Sequence, residues 1–207
     1  MKSLQLIFRY IKYLFRAKSK HSAQAPFLYE LITQVIDKTT DDNSCKNIEA
    51  LRKELCTQER TIKITDFGAG STINNSKTRK VKDVAKNSAK NAKFGKLLYR
   101  IIQFYKPKYI LELGTSLGIS TSYLAKADAN AHVFTFEGCP ETAKIAQENF
   151  DMQNITNTSI TLGDFNLTLS EKLKEIETVD LAFIDGNHQE KPTIAYFEEC
   201  LKYANNN

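Results

Sequence analysis

The chain has 207 residues, 42% hydrophobic and 10% aromatic, enough for one ordinary α/β core with a small appendage. Its four cysteines, Cys45, Cys56, Cys139 and Cys200, form no C-x-x-C pair, which speaks against a zinc site or a disulfide framework and for a reducing, cytoplasmic compartment. The net charge of +5 is divided unevenly, with 23 Lys/Arg against 9 Asp/Glu in residues 1–108 and 6 against 15 in residues 109–207.

Residues 3–16 set Leu4, Ile7, Ile11, Leu14 and Phe15 along one helical stripe. Arg9 and Lys12 interrupt the run, no small-residue cleavage site follows, and it is too short to span a bilayer. A second helix is predicted over residues 26–37, with Phe27, Leu28, Leu31, Ile32 and Ile36 as its apolar face, then a polar joint over 38–47 and a short helix over 48–56. A short strand is expected near residues 61–65. Residues 78–105 keep a helical period that Gly95 bends or breaks and Pro107 ends.

Beyond Pro107 the pattern becomes strand and helix in alternation. Strands are predicted over 109–113, 132–136, 159–162 and 181–184, with helices over 120–127, 141–150, 169–176 and 191–203. The expected fold is α/β, a Rossmann-like, doubly wound, mostly parallel sheet. Residues 1–77 are read as a helical appendage or lid and 78–207 as the sheet domain.

In such sheets ligands bind outside the carboxyl ends of the strands, and each predicted strand carries an acid there: Glu112, Glu137, Asp164 and Asp185. Gly114 and Gly118 allow a tight turn and a close backbone approach, while Thr115, Ser116, Ser120 and Thr121 offer hydroxyls. A dinucleotide is the rival ligand, but Gly-Thr-Ser-Leu-Gly is not G-x-G-x-x-G, and Glu112 would face a pyrophosphate of like charge. A cationic cofactor without phosphate suits four carboxylates better.

Glu112-x-Gly114-x-x-x-Gly118, Glu137 twenty-five residues on, Gly163-Asp164 and Asp185-Gly186-Asn187-His188 resemble the ordered motifs of class I S-adenosylmethionine-dependent methyltransferases, O-methyltransferases in particular. The resemblance covers residues 109–188. It implies that Gly114, Thr115, Ser116 and Gly118 wrap the methionine and ribose, that Glu112 acts near the methionine ammonium, that Glu137 binds the ribose hydroxyls, and that Asp164 approaches the adenine. Asp185 and His188 become the candidates for removing a proton from a hydroxyl acceptor. Singly, each of the four acids also reads as a cap or a salt bridge.

A metal ligand set is left unassigned: in the similar metal-dependent enzymes Asp185 would be one ligand, and the others follow a strand not found here. The family's sheet usually has seven strands, and four are assigned, so carboxyl-terminal strands are expected to be missing. Residues 64–71, Ile-Thr-Asp-Phe-Gly-Ala-Gly-Ser, imitate the first motif but lead into no second strand ending in an acid. They are read as a turn or lid.

The expected partner is a small-molecule or surface-presented acceptor. The basic amino-terminal half leaves a homodimer face or a membrane-surface contact open. Nucleic acid is disfavoured because residues 77–108 lack a regular aromatic platform. A non-catalytic cofactor-binding module is the alternative to an enzyme.

Overall fold

The computed structural model describes residues 2–16, 25–41, 43–65, 78–88 and 91–205. The chain divides into two compact units, Met1–Thr39 and Thr40–Asn207, and the division falls in the polar stretch that follows the second helix.

The first unit holds α1 (Lys2–Arg16) and α2 (Pro26–Glu30). Pro26 opens α2 where a missing N–H costs nothing. The helix continues over Leu31–Ile36 with the wider π spacing, and Asp37 N–H donates to the Ile32 carbonyl. No described helix is long and apolar enough to cross a membrane.

The second unit begins with α3 (Lys46–Leu55), followed by an antiparallel pair, β1 (Thr61–Lys63) and β2 (Thr78–Lys80). Next come α4 (Val81–Ser88) and α5 (Ala92–Tyr105). The single helix expected over 78–105 is thus a short strand and two helices. Its break falls at Asn91, whose side chain accepts the Phe94 N–H at 3.1 Å and caps α5. Gly95 lies inside α5 because the Tyr123 ring fills the space beside it: a Cβ there would stand 2.2 Å from that ring.

The remainder alternates as the period predicts: β3 (Tyr109–Leu113), α6 (Ile119–Ala127), β4 (His132–Glu137), α7 (Pro140–Met152), β5 (Thr158–Leu162), α8 (Phe165–Ile176), β6 (Leu181–Ile184) and α9 (Glu190–Leu201). All four of these strands are parallel, in the order β5-β4-β3-β6. Side chains alternate across the sheet. Ile110 faces a layer with Ile102, Leu124, Ala146 and Phe150, and Leu111 and Leu113 face another with Leu169, Leu173 and Tyr196. The result is a three-layer α/β/α core. Asn157, just before β5, staples the preceding loop by donating from Nδ2 to the carbonyls of Ala125, Asp128 and Ala131 at 3.0, 3.3 and 2.8 Å.

Past α9 the chain returns beside the start of β6. Val179 N–H donates to Tyr203 and Asn205 N–H donates to Val179, forming one parallel bridge. Among the described residues no strand pairs with the outer edge of residues 181–184.

Candidate functional site

Strands β3, β4 and β5 step outward in one direction, whereas β6 lies on the other side of β3. The loops after β3 and β6 therefore leave the sheet at its topological switch point, where open α/β sheets form a crevice. The register levels the strand ends: Leu113 lies opposite both Phe136 and Ile184, and Glu137 opposite Leu162. Gly114, Glu137, Gly163-Asp164 and Asp185 accordingly emerge at one end of the sheet.

The backbone fits this crowding. Gly114 has φ +109°, and a Cβ on it would lie 2.9 Å from the Asp185 carbonyl oxygen. Gly118 has φ +78°, and its Cβ would lie 2.6 Å from the Phe150 ring. Ser116, Asn187 and His188 also adopt left-handed conformations, at φ 50°, 65° and 57°. Lys106, Asn154 and Glu177 share that geometry where helices α5, α7 and α8 stop. Helix termination explains the latter three. Ser116, Asn187 and His188 sit in the loops of the crevice, where strained conformations concentrate at binding sites.

Glu112 is fully buried and shares the Ile110 face of β3. Its Oε2 accepts hydroxyl hydrogen bonds from Thr121 at 2.5 Å and Thr135 at 2.6 Å. No hydrogen bond of good geometry reaches the buried Oε1. Burial raises its pKa to about 7; the hydroxyls of Thr121, Thr135 and nearby Ser120 pull the other way, and the charge of Asp185 adds to the rise. A carboxyl so placed could take a cationic partner, which would both satisfy Oε1 and restore its charge.

Glu137 braces the β3 loop. Its Oε2 accepts the Ser116 N–H at 2.7 Å and its Oε1 the Cys139 N–H at 2.8 Å. Burial raises its pKa, opposed by the Cys139 and Ser116 amides, the Thr142 hydroxyl and the Gly138 amide. Thr115 turns inward, its hydroxyl bonded to Thr135 at 2.6 Å. That hydroxyl is committed to the core, while the Gly114 and Thr115 amides both donate to the Phe136 carbonyl.

Asp164 caps α8, with Oδ1 accepting from the Asn166 backbone N–H at 2.9 Å and from its side-chain amide at 2.8 Å. Asn166 in turn accepts from the Tyr196 hydroxyl at 3.1 Å, and that hydroxyl accepts from Asn187 Nδ2 at 3.0 Å. The loops after β5 and β6 are thus joined through Asn187, which the Asp185–His188 motif contained, and through Asn166 and Tyr196, which sequence reasoning did not single out. Asn187 Oδ1 is buried without a partner. Asp185 leaves β6 with its N–H on the Leu113 carbonyl, and the His188 N–H donates to the Gly186 carbonyl.

Thr135 was missed as well, although a hydroxyl inside Val-Phe-Thr-Phe is a signal: on a buried strand it requires a polar partner. Residues 66–77, which hold most of the second glycine motif, lie outside the described residues. Thr65, just before them, donates its N–H to Cys139 Sγ at 3.4 Å, two residues from Glu137. No group of three or more His, Cys, Asp or Glu side chains that could hold a metal ion occurs among the described residues.

Residues 111–207 match the family model described as a methyltransferase domain. A catechol O-methyltransferase from Niastella koreensis is 34% identical over 113 residues, 53% of this chain and 50% of that protein. The chain spans about half the length of the curated relatives it matches. In fold it is similar to an O-methyltransferase from Bacillus cereus solved with S-adenosylhomocysteine, with TM-score 0.55 and 21% identity over 85% of this chain and 67% of that one. It is likewise similar to the O-methyltransferase TomG from Streptomyces achromogenes solved with S-adenosylmethionine, with TM-score 0.54 and 21% identity over 91% and 71%. Crevice, strand order and sequence agree, and the segment from residue 111 onward resembles the class I, S-adenosylmethionine-dependent O-methyltransferases.

Proposed function

We propose that the chain binds S-adenosylmethionine in the crevice between the β3 and β6 loops and transfers its methyl group to an oxygen of a small-molecule acceptor. The observation that carries this reading is Glu112, a buried carboxyl at the switch point of the sheet whose Oε1 no hydrogen bond of good geometry reaches. When bound, the cofactor supplies an electrophilic methyl group on a sulfonium. Glu112 receives the ammonium, Glu137 the ribose hydroxyls and Asp164 the adenine side, while Gly114, Ser116 and Gly118 give the backbone its close approach. Thr115 acts by fixing the loop from inside. Asp185 and His188 stand where a hydroxyl acceptor would lose its proton, His188 as base and Asp185 orienting it. The unpaired cysteines are in keeping with a cytoplasmic site of action.

A second reading, a module that binds the cofactor without turnover, draws on the outer edge of β6, with which no strand pairs among the described residues. Calorimetric titration with S-adenosylmethionine and with NAD, followed by a panel of catechol and other hydroxyl acceptors, separates the two. Micromolar S-adenosylmethionine binding, weakened at least about tenfold by Glu137→Ala through loss of a charge-assisted contact, is the expected result. Binding without methylation of any acceptor points to the module, and preference for NAD rejects both.

A further inference from the structure

We propose that α1 is an in-plane anchor for an anionic lipid surface, a role independent of the methyl-transfer reading. The helix has 15 residues and no acid in its first turn; its sequence contains no Asp or Glu at all. Gln5, Arg9, Lys12 and Arg16 recur at spacings of four, three and four, and so fall within about 60° of one another around a 3.6-residue helix. They form one narrow polar stripe, cationic at three of four positions. Apart from Lys2, which adjoins the stripe, and Ser3, the remaining arc is apolar, and its described side chains are exposed: Phe8 70%, Ile7 57%, Tyr13 62% and Phe15 88%.

Charge selects the occupant. Residues 1–39 carry seven Lys/Arg and two Asp/Glu, and the other 168 residues carry twenty-two of each. The whole excess of +5 therefore resides in the first unit. A helix about 22 Å long cannot cross hydrocarbon about 30 Å thick. It can lie in the interface, with its aromatic and aliphatic arc below the headgroups and its cations among their phosphates. A nucleic acid would use the stripe and leave the broad apolar arc in water. A second copy would use the arc and leave the cationic stripe on the outside without a counter-charge.

The test is co-sedimentation of the full chain with phosphatidylcholine vesicles and with vesicles containing about a third phosphatidylserine, at about 0.1 M and 0.5 M salt. The expected results are pelleting about tenfold or more stronger with phosphatidylserine and weakened by salt, a drop of similar size in Arg9→Glu/Lys12→Glu, and near abolition in Ile7→Ser/Ile11→Ser. Thermal unfolding of both variants should match the parent, since all four side chains are exposed. Three results would overturn the proposal: no pelleting by the folded chain, pelleting unchanged in both variants, or binding to generic RNA without binding to vesicles. A concentration-dependent dimer lost in Ile7→Ser/Ile11→Ser, with no vesicle binding, would assign the face to a second copy instead.

Discussion

The two units treat apolar residues in opposite ways. In Thr40–Asn207 the large side chains of Phe136, Phe150 and Tyr123 are fully buried and the charges balance. In Met1–Thr39, Val35 is the one fully buried hydrophobic among the described side chains, and Leu6, Phe8, Tyr10 and Phe15 stand out in solvent. A helical period thus reports an apolar face without saying where that face is buried. The sheet unit buries its largest rings in its own core, whereas the described side chains of α1 stand exposed.

Phe150→Ala should expose that contrast most strongly. The ring is fully buried and stands against Gly118, so urea unfolding should show a loss of about 3–5 kcal/mol. A loss near zero would mean that the sheet unit is packed no better than the first.

Glu112→Gln sharpens the comparison in the other direction. The folded pKa of about 7 lies above the ordinary 4.5, so the folded state holds the proton more tightly. Stability then falls as pH rises from about 4.5 to about 7 and stays low above, by about 3 kcal/mol in total. The amide escapes that loss. Without cofactor the variant should gain up to about 3 kcal/mol over the parent at pH 8 and little at pH 5, measured by denaturant unfolding, while losing S-adenosylmethionine affinity. Equal stability at both pH values would show that Glu112 does not titrate in this range. Smallest of all, Tyr13→Ala should change unfolding by no more than about 0.5 kcal/mol, because the side chain is 62% exposed.

Much of the sheet was legible because its strands are short, β-rich runs between helical periods. Residues 109–113 and 181–184 match β3 and β6 to the residue, and β4 and β5 differ from expectation by one residue at one end. Helix α8 starts four residues before the predicted 169 because Asp164 caps it and Phe165 joins the core. The strand-end acids could be found because their positions follow from strand boundaries. Their partners could not: Thr121 and Thr135 reach Glu112 from two other elements, and Tyr196, bonded to Asn187, reaches Asn166 thirty residues away. Such meetings depend on which helix covers which face, and no local pattern encodes that.

Asn157 gives the molecule a joint with a single point of failure. Its side-chain amide is the sole donor in the staple that ties three carbonyls of the α6–β4 connection. Hydrolysis of that amide to a carboxylate, a change of one nitrogen to one oxygen, would remove every donor and set a negative charge against three carbonyl oxygens. A chain altered by that one atom would keep its volume and lose this joint.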